Sequence, residues 1–156
     1  MSKFIFLILG FLVAGCQANE SFINPMKSEF ENVSFDVVQK QLVIEAELPN
    51  YVEGLVSQWF DHKVKIDGFD GEMKFTISEY IEETSSINDE KRVDISMSFY
   101  VLLNKPSLSQ TKMIEGSVFS YGTLSGNFSL AEFDIVIQNT QSDLVLRLSR
   151  DLKSKI

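Results

Sequence analysis

The chain has one cysteine, Cys16, directly behind an apolar run from Phe4 to Val13 and the small pair Ala14-Gly15. A single thiol closes no intramolecular disulfide and forms no CxxC pair. Whatever this chain folds into must therefore be held by its hydrophobic core. The run itself is about ten residues, which at 1.5 Å per residue spans roughly half of a ~30 Å hydrocarbon layer. That is too short for a transmembrane helix and the right length for the apolar region of a secretion signal, with Lys3 as its leading cation. Behind it remain about 140 residues, enough for one core and too few for two.

Charge narrows the class further. The chain carries 14 basic and 22 acidic residues, a formal net charge of −8. Removal of residues 1–15 takes away one cation and no acid, so the remainder is more acidic still. Phosphate recognition needs a basic footprint, so nucleic acid is excluded as a partner. An acidic domain also does not lie on anionic lipid by charge. Disorder is excluded by 13 phenylalanines, which supply ample apolar surface for a core.

From Gln17 to Glu31 the chain is polar, with Asn24-Pro25 as a turn signal, and reads as a short tether. Between Val33 and Leu48 the apolar positions alternate but change parity near Gln39-Lys40, which predicts either a kinked strand or a short hairpin. Pro49-Asn50 opens a helix, with Asn50 and Glu53 at capping-box spacing. Its apolar face is Val52, Leu55, Val56, Trp59 and Phe60, at helical spacing, and it ends near Lys63. Gly54 within it weakens the helix unless it allows a close approach. Asp67 to Glu72 (DGFDGE) has acids at spacings unlike a calcium loop, and reads as a glycine-assisted turn.

Met73, Phe75 and Ile77 alternate as a half-buried strand that frays toward Glu83. Thr84 to Glu90 reads as a polar loop. The strand signal is clearest at Val93, Ile95, Met97, Phe99, Val101 and Leu103. A further strand spans Lys112 to Thr123, with Gly116 as a candidate bulge. Ser129 and Glu132 form a capping box for a helix running to about Lys155. Its apolar stripe is Leu130, Phe133, Ile137, Leu144, Leu148 and Leu152, broken at Gln141. Arg147, Arg150, Lys153 and Lys155 suit its C-terminal dipole. The order β-α-β-β-β-α predicts an α+β fold: a mostly antiparallel sheet of about four strands with two helices on one face.

No catalytic constellation accompanies this pattern. His62, the one histidine, stands beside Asp61 at a helix end, with no second histidine or cysteine for a zinc site and no nucleophile elbow. Glu79, Glu82, Glu83, Asp89 and Glu90 gather around one loop as a solvated rim. The expectation is a non-enzyme: no catalytic residue, no metal and no cofactor. An envelope hydrolase would require convergent carboxylates or a Ser-His pair in a cleft.

Val13-Ala14-Gly15-Cys16 looks like the lipobox of bacterial lipoproteins. That resemblance implies cleavage between Gly15 and Cys16, a lipidated N-terminus and short tether over residues 16–31, and a single domain over 32–156. Covalent acyl chains on Cys16 would anchor the domain almost permanently, at ~0.8 kcal/mol per buried CH₂. Gln17 after the cysteine resembles the sorting pattern of outer-membrane lipoproteins, which implies lipid anchoring on the periplasmic face of the outer membrane. The order of elements and the stretch EGSVFSYGTLSGNFSLAEFDIVIQNTQSDLVLRLSRDLKSKI, residues 115–156, resemble the LPS-assembly lipoprotein (LptE-type) family. Residues from about Val33, with Trp59 and the Gly68 to Gly71 turn, are also similar to alphaproteobacterial lipoproteins of unknown role.

The first likeness implies an accessory of outer-membrane assembly or LPS transport that docks a β-barrel partner and contacts lipid or LPS. That family's LPS-facing surface is expected to be basic. Here only Lys105, Lys112 and the late cations of the last helix offer positive charge. An alternative expectation is an auxiliary lipoprotein of an ABC-type lipid transport system, which would place an apolar pocket between sheet and helices.

Overall fold

The computed structural model describes residues 29–156. Gly15, Cys16 and the tether up to residue 28 lie outside the described residues. In chain order the elements are β1 (Val33–Phe35), β2 (Gln39–Ile44), α1 (Asn50–Lys63), β3 (Val64–Ile66), β4 (Glu72–Ile87), β5 (Glu90–Lys105), β6 (Gln110–Ser125) and α2 (Leu130–Ser154). A four-stranded sheet has the order β2-β4-β5-β6. It is antiparallel except at β2, which pairs parallel to β4. The α+β class and the mostly antiparallel sheet with two helices follow the sequence pattern.

The parity switch near Gln39 marks neither a kinked strand nor a hairpin. β1 and β2 belong to different sheets, because β1 pairs parallel to β3 in a separate two-stranded ribbon. The helix α1 is therefore a crossover between two parallel pairs, and its return strand runs directly out of its last turn at Val64. Three valine- and isoleucine-containing residues are too few to register as a period, so β3 is invisible to pattern reading.

The segment expected to be a loop is strand. β4 continues to Ile87 and meets β5 through the two-residue turn Asn88-Asp89, with Ile87 paired to Glu90. Asn88 adopts φ 56°, a left-handed conformation that asparagine tolerates better than most residues. β4, β5 and β6 are each 16 residues long, so the meander extends about 50 Å. Beyond Ile77 the register of β4 shifts by a bulge at Ser78. Before it Met73, Phe75 and Ile77 face the helices; after it Tyr80, opposite Met97, and Glu82, opposite Ile95, do so. The change of face, together with residues solvated on both sides, erases the alternation that would announce a strand.

The helices close directly on the inner face. Trp59 meets Phe75 edge-on with ring centroids 5.5 Å apart, and Phe75 stacks on Phe99 at 5.4 Å. Leu144, Leu148 and Leu152 of α2 are fully buried, as are Val52, Val56 and Trp59 of α1. Leu130, expected in the stripe, is 77% exposed, whereas Phe133 of the same turn is buried. Gly116 causes no bulge, since β5 and β6 keep unbroken register. It and Gly122 instead let α2 lie against β6. A Cβ at Gly116 would overlap Phe99 and Asp151, and one at Gly122 would overlap Thr140 and Val136.

The two helix starts differ. Ser129 and Glu132 form the expected capping box, each bonding the other's backbone N–H. Asn50 does not cap α1: the cap position is Pro49, with no side-chain bond. Nothing approaches Gly54 within 4 Å of a built Cβ, so that glycine serves no close contact among the described residues. The C-terminal end of α1 is closed by a residue the sequence did not single out. Lys40 of β2 donates to the carbonyls of Phe60 at 2.7 Å, Val64 at 2.6 Å and Asp61 at 3.2 Å. Burial lowers its ammonium from the usual lysine value, against the opposing attraction of Asp61.

Candidate functional site

The sheet has one face under the helices and one face open to solvent. The open face of β5 and β6 carries Leu102, Met113, Phe119 and Tyr121, all exposed. Phe119 and Tyr121 stand side by side with ring centroids 6.2 Å apart, and the Arg92 guanidinium lies 4.6 Å from the Tyr121 centroid. Arg92 is fixed there by a two-pronged pair with Asp94 of the same strand face. Hydrogen bonding to Asp94 raises the guanidinium above its ordinary value.

The two edges of this sheet are built differently. β2 covers β4 only as far as Ile77. Beyond that point the β4 edge has a bulge and carries Glu79, Glu82 and Glu83. Bulges and charges are the usual devices that keep an open edge from pairing with another strand. The opposite edge, β6, has neither device in quantity. It is paired on one side only, runs unbroken for 16 residues, and has Lys112 and Glu115 as its charged side chains. Its outward-facing backbone groups border the Phe119–Tyr121 pair. Edge and aromatic face together form a surface suited to strand addition, where backbone bonds supply affinity and side chains supply selectivity.

The carboxylates expected around one loop are spread along an edge and a hairpin tip. Glu82 accepts from the Tyr80 hydroxyl and from Gln141 Nε2 at 3.0 Å. Burial, then the bond to Glu82, pushes the Tyr80 phenol up. This explains Gln141, the polar interruption of the α2 stripe: it faces the inner side of β4 just after the bulge. Asp143 accepts from Ser120 at 2.6 Å and from Arg147 at 2.6 Å. Burial raises its pKa, but those donors and the nearby cations more than offset it and leave it lowered. Both clusters are fully satisfied ties between α2 and the sheet.

The remaining candidates are dispersed. His62 is exposed in the last turn of α1. The DGFDGE segment is a turn from β3 to β4, and no group of three metal-capable side chains occurs among the described residues. Most of the basic side chains singled out are drawn into ion pairs: Lys105 with Asp36, Arg147 with Asp143 at 2.6 Å, Lys153 with Glu31 at 2.6 Å, and Lys155 with Asp151 at 2.7 Å. Lys105 and Lys112 also line a groove of about 300 Å³ with Phe35, Val37, Leu103 and Ile156.

The class these features define is a single-core α+β module in which, among the described residues, one sheet face is uncovered and the β6 edge is unpaired, with the Lys155 ammonium on its Glu115 carbonyl at 2.9 Å. The same fold occurs in a minor lipoprotein from Acinetobacter baumannii, with a TM-score of 0.55 and 11% identity over 76% of this chain and 93% of that one. Lipoprotein GNA1162 from Neisseria meningitidis aligns over 76% of this chain and 99% of its own, at 12% identity and a TM-score of 0.31. No family model matches the chain, and no curated protein does. At 11% identity the likeness to the Acinetobacter protein is one of fold, and a fold does not by itself carry a function.

Proposed function

We propose that this chain is a lipid-anchored lipoprotein of the cell envelope that acts without catalysis, by docking a partner on its open sheet surface. The observation that carries this reading is the contrast between a guarded β4 edge and the unpaired β6 edge beside exposed Phe119 and Tyr121. The anchor is the acylated Cys16, exposed by cleavage after Gly15, and the membrane is the outer membrane. The partner that fits best is itself rich in strand, a β-barrel of the outer membrane, in keeping with the resemblance to LPS-assembly lipoproteins. The fold shared with a minor lipoprotein supports the envelope reading.

The main alternative, a lipid-transport auxiliary carrying lipid between sheet and helices, is disfavoured by packing. Trp59, Phe75, Ile77, Leu144 and Leu148 are fully buried against one another's elements, so the layers meet with no space for an acyl chain among these residues.

The test places a photo-crosslinking residue at Phe119 in the full-length protein and irradiates native envelopes. Adducts with a β-barrel at Phe119, absent with the probe at exposed Ser85 on the β4 edge, are the expected result. Equal labelling at both positions, or adducts with lipid alone, would refute docking through β6. Cys16→Ser is expected to release the protein from the membrane fraction; unchanged fractionation of that variant would refute the anchor.

A further inference from the structure

The molecule has two ends about 50 Å apart along its long strands, and they are unlike. At one end the β4–β5 hairpin and the first turns of α2 carry Glu82, Glu83, Asp89, Glu90, Glu132 and Asp134 against Lys91, with Arg92 and Asp94 paired to each other. The other end holds both chain exits. The described chain begins there, with Phe30 buried and Glu31 tied to Lys153 near the end of α2. The C-terminal Ile156 lines the groove with Lys105 and Lys112 at the same end.

Two loop tips project from this second end, and each carries one exposed apolar side chain. Phe69, in the turn between β3 and β4, is 100% exposed, and Leu108, in the 3-10 turn Pro106–Leu108 between β5 and β6, is 58% exposed. They are held side by side: the Ser107 backbone N–H donates to Asp70 Oδ2 at 3.0 Å. Of the acids in this region Asp36 is ion-paired with Lys105, whereas Asp67, Asp70 and Glu72 accept hydrogen bonds from neutral donors, Ser34 at 2.8 Å, the Ser107 N–H and Asn104 at 3.4 Å. Exposed Ile66, Met113 and Ile156 flank the tips. A fully solvated phenylalanine on a tied turn contributes nothing to the core, and its exposure costs hydration free energy. Such a group is explained by something apolar that covers it.

We propose that this end is a membrane-facing foot, with Phe69 and Leu108 inserted at the lipid interface while the acidic hairpin points away. The occupant is the lipid surface, and three observations choose it. The described chain begins in this half of the molecule at Glu29, so this is the half nearer in sequence to the proposed anchor at Cys16. The two tips form a blunt apolar point of the kind that sinks below headgroups, as the apolar faces of interfacial segments do. The opposite end carries the denser run of carboxylates, Glu82, Glu83, Asp89, Glu90, Glu132 and Asp134, and is the less able of the two to approach anionic lipid. The orientation rests on the lipid anchor proposed above, and it leaves β6 running away from the membrane, open along its length to a partner.

The test uses full-length acylated protein in vesicles of phosphatidylethanolamine and phosphatidylglycerol. With Cys16 acylated, Phe69→Cys, Leu108→Cys and Ile87→Cys each present one free thiol for an environment-sensitive fluorophore. All three positions are exposed, so labelling leaves the core intact. Spin-labelled acyl chains are expected to quench the probes at 69 and 108 several-fold more than the probe at 87, with the reverse order for aqueous iodide. Vesicle-bound protein whose probe at 69 is as open to iodide as the probe at 87 overturns the orientation while the anchor stands. Wild-type protein that takes up thiol label and fails to float with the vesicles overturns the anchor, and the orientation with it.

Discussion

The two halves of the long sheet are built for different purposes. The half near the chain exits is covered on its inner face by both helices. There Trp59, Phe75, Phe99, Leu148 and Leu152 make a closed apolar core. The half toward the hairpin is covered by α2 alone. β4 is exposed from Ile81 to Ile87 on both faces, and the ties to α2 there combine a smaller apolar set, Val93, Ile95 and Phe133, with glycine contacts and polar bonds. The larger share of buried apolar surface thus lies in the half near the chain exits, and the far half is mostly extended surface with a thinner core. Local opening follows few apolar contacts and exposed backbone bonds, so the hairpin is expected to exchange its amide hydrogens before the near half does.

The largest effect that tests this contrast is Leu148→Asp. An unpaired carboxylate at a fully buried site of the near half is expected to cost at least about 4 kcal/mol and unfold the domain. Loss of the single buried tryptophan's blue-shifted emission is the readout. Wild-type melting of this variant would refute the proposed packing face. Next comes Gly122→Val in the far half. Its side chain meets Thr140 and Val136, so overpacking of about 1–3 kcal/mol is expected. Trp59 emission should hold until global unfolding, while hydrogen exchange rises in β6 and early α2; simultaneous loss of both signals would break the two-halves picture.

Lys40→Met removes three donors from the end of α1 and is expected to cost about 1–2 kcal/mol, measured by denaturant midpoint. This effect belongs to the near half and should leave exchange in the hairpin unchanged relative to global stability.

Acid sharpens the comparison more gently. Backbone and hydroxyl bonds from Ser129 hold Glu132 below its usual 4.5. Asp143 is likewise held below 3.8 by Ser120 and Arg147 against its burial. Carboxylates with lowered folded pKa values give stability that is present above the unfolded values and lost as pH falls through the folded ones. Exchange protection in the first turns of α2 is therefore expected to fall from about pH 4.5 downward, ahead of the Trp59 signal. The smallest effect is Gly54→Ala, where open space and a helical interior predict a gain of up to about 1 kcal/mol; destabilisation would show an approach to Gly54 that the described residues do not make.

Legibility followed burial. The α1 face from Val52 to Phe60 and the β5 alternation from Val93 to Val101 were readable because each has one dry side, which imposes a period. The far half of β4 was not, because Glu79 to Ile87 is solvated and crosses a bulge. Lys40 and Phe69 carried no signal at all. A lysine in a strand and a phenylalanine in a turn are individually ordinary, and their roles arise from what lies opposite or fails to lie opposite.

By itself the sequence determined that a core without an intramolecular disulfide must hold the domain, and that its class is α+β. These are properties of composition, period and local spacing. The tertiary structure alone decided that β2 joins β4 in parallel, that Gly116 and Gly122 seat a helix, and that Phe69 and Leu108 share one end with the chain exits. Each of these joins residues far apart in the chain, and a linear pattern holds no record of which distant positions will meet.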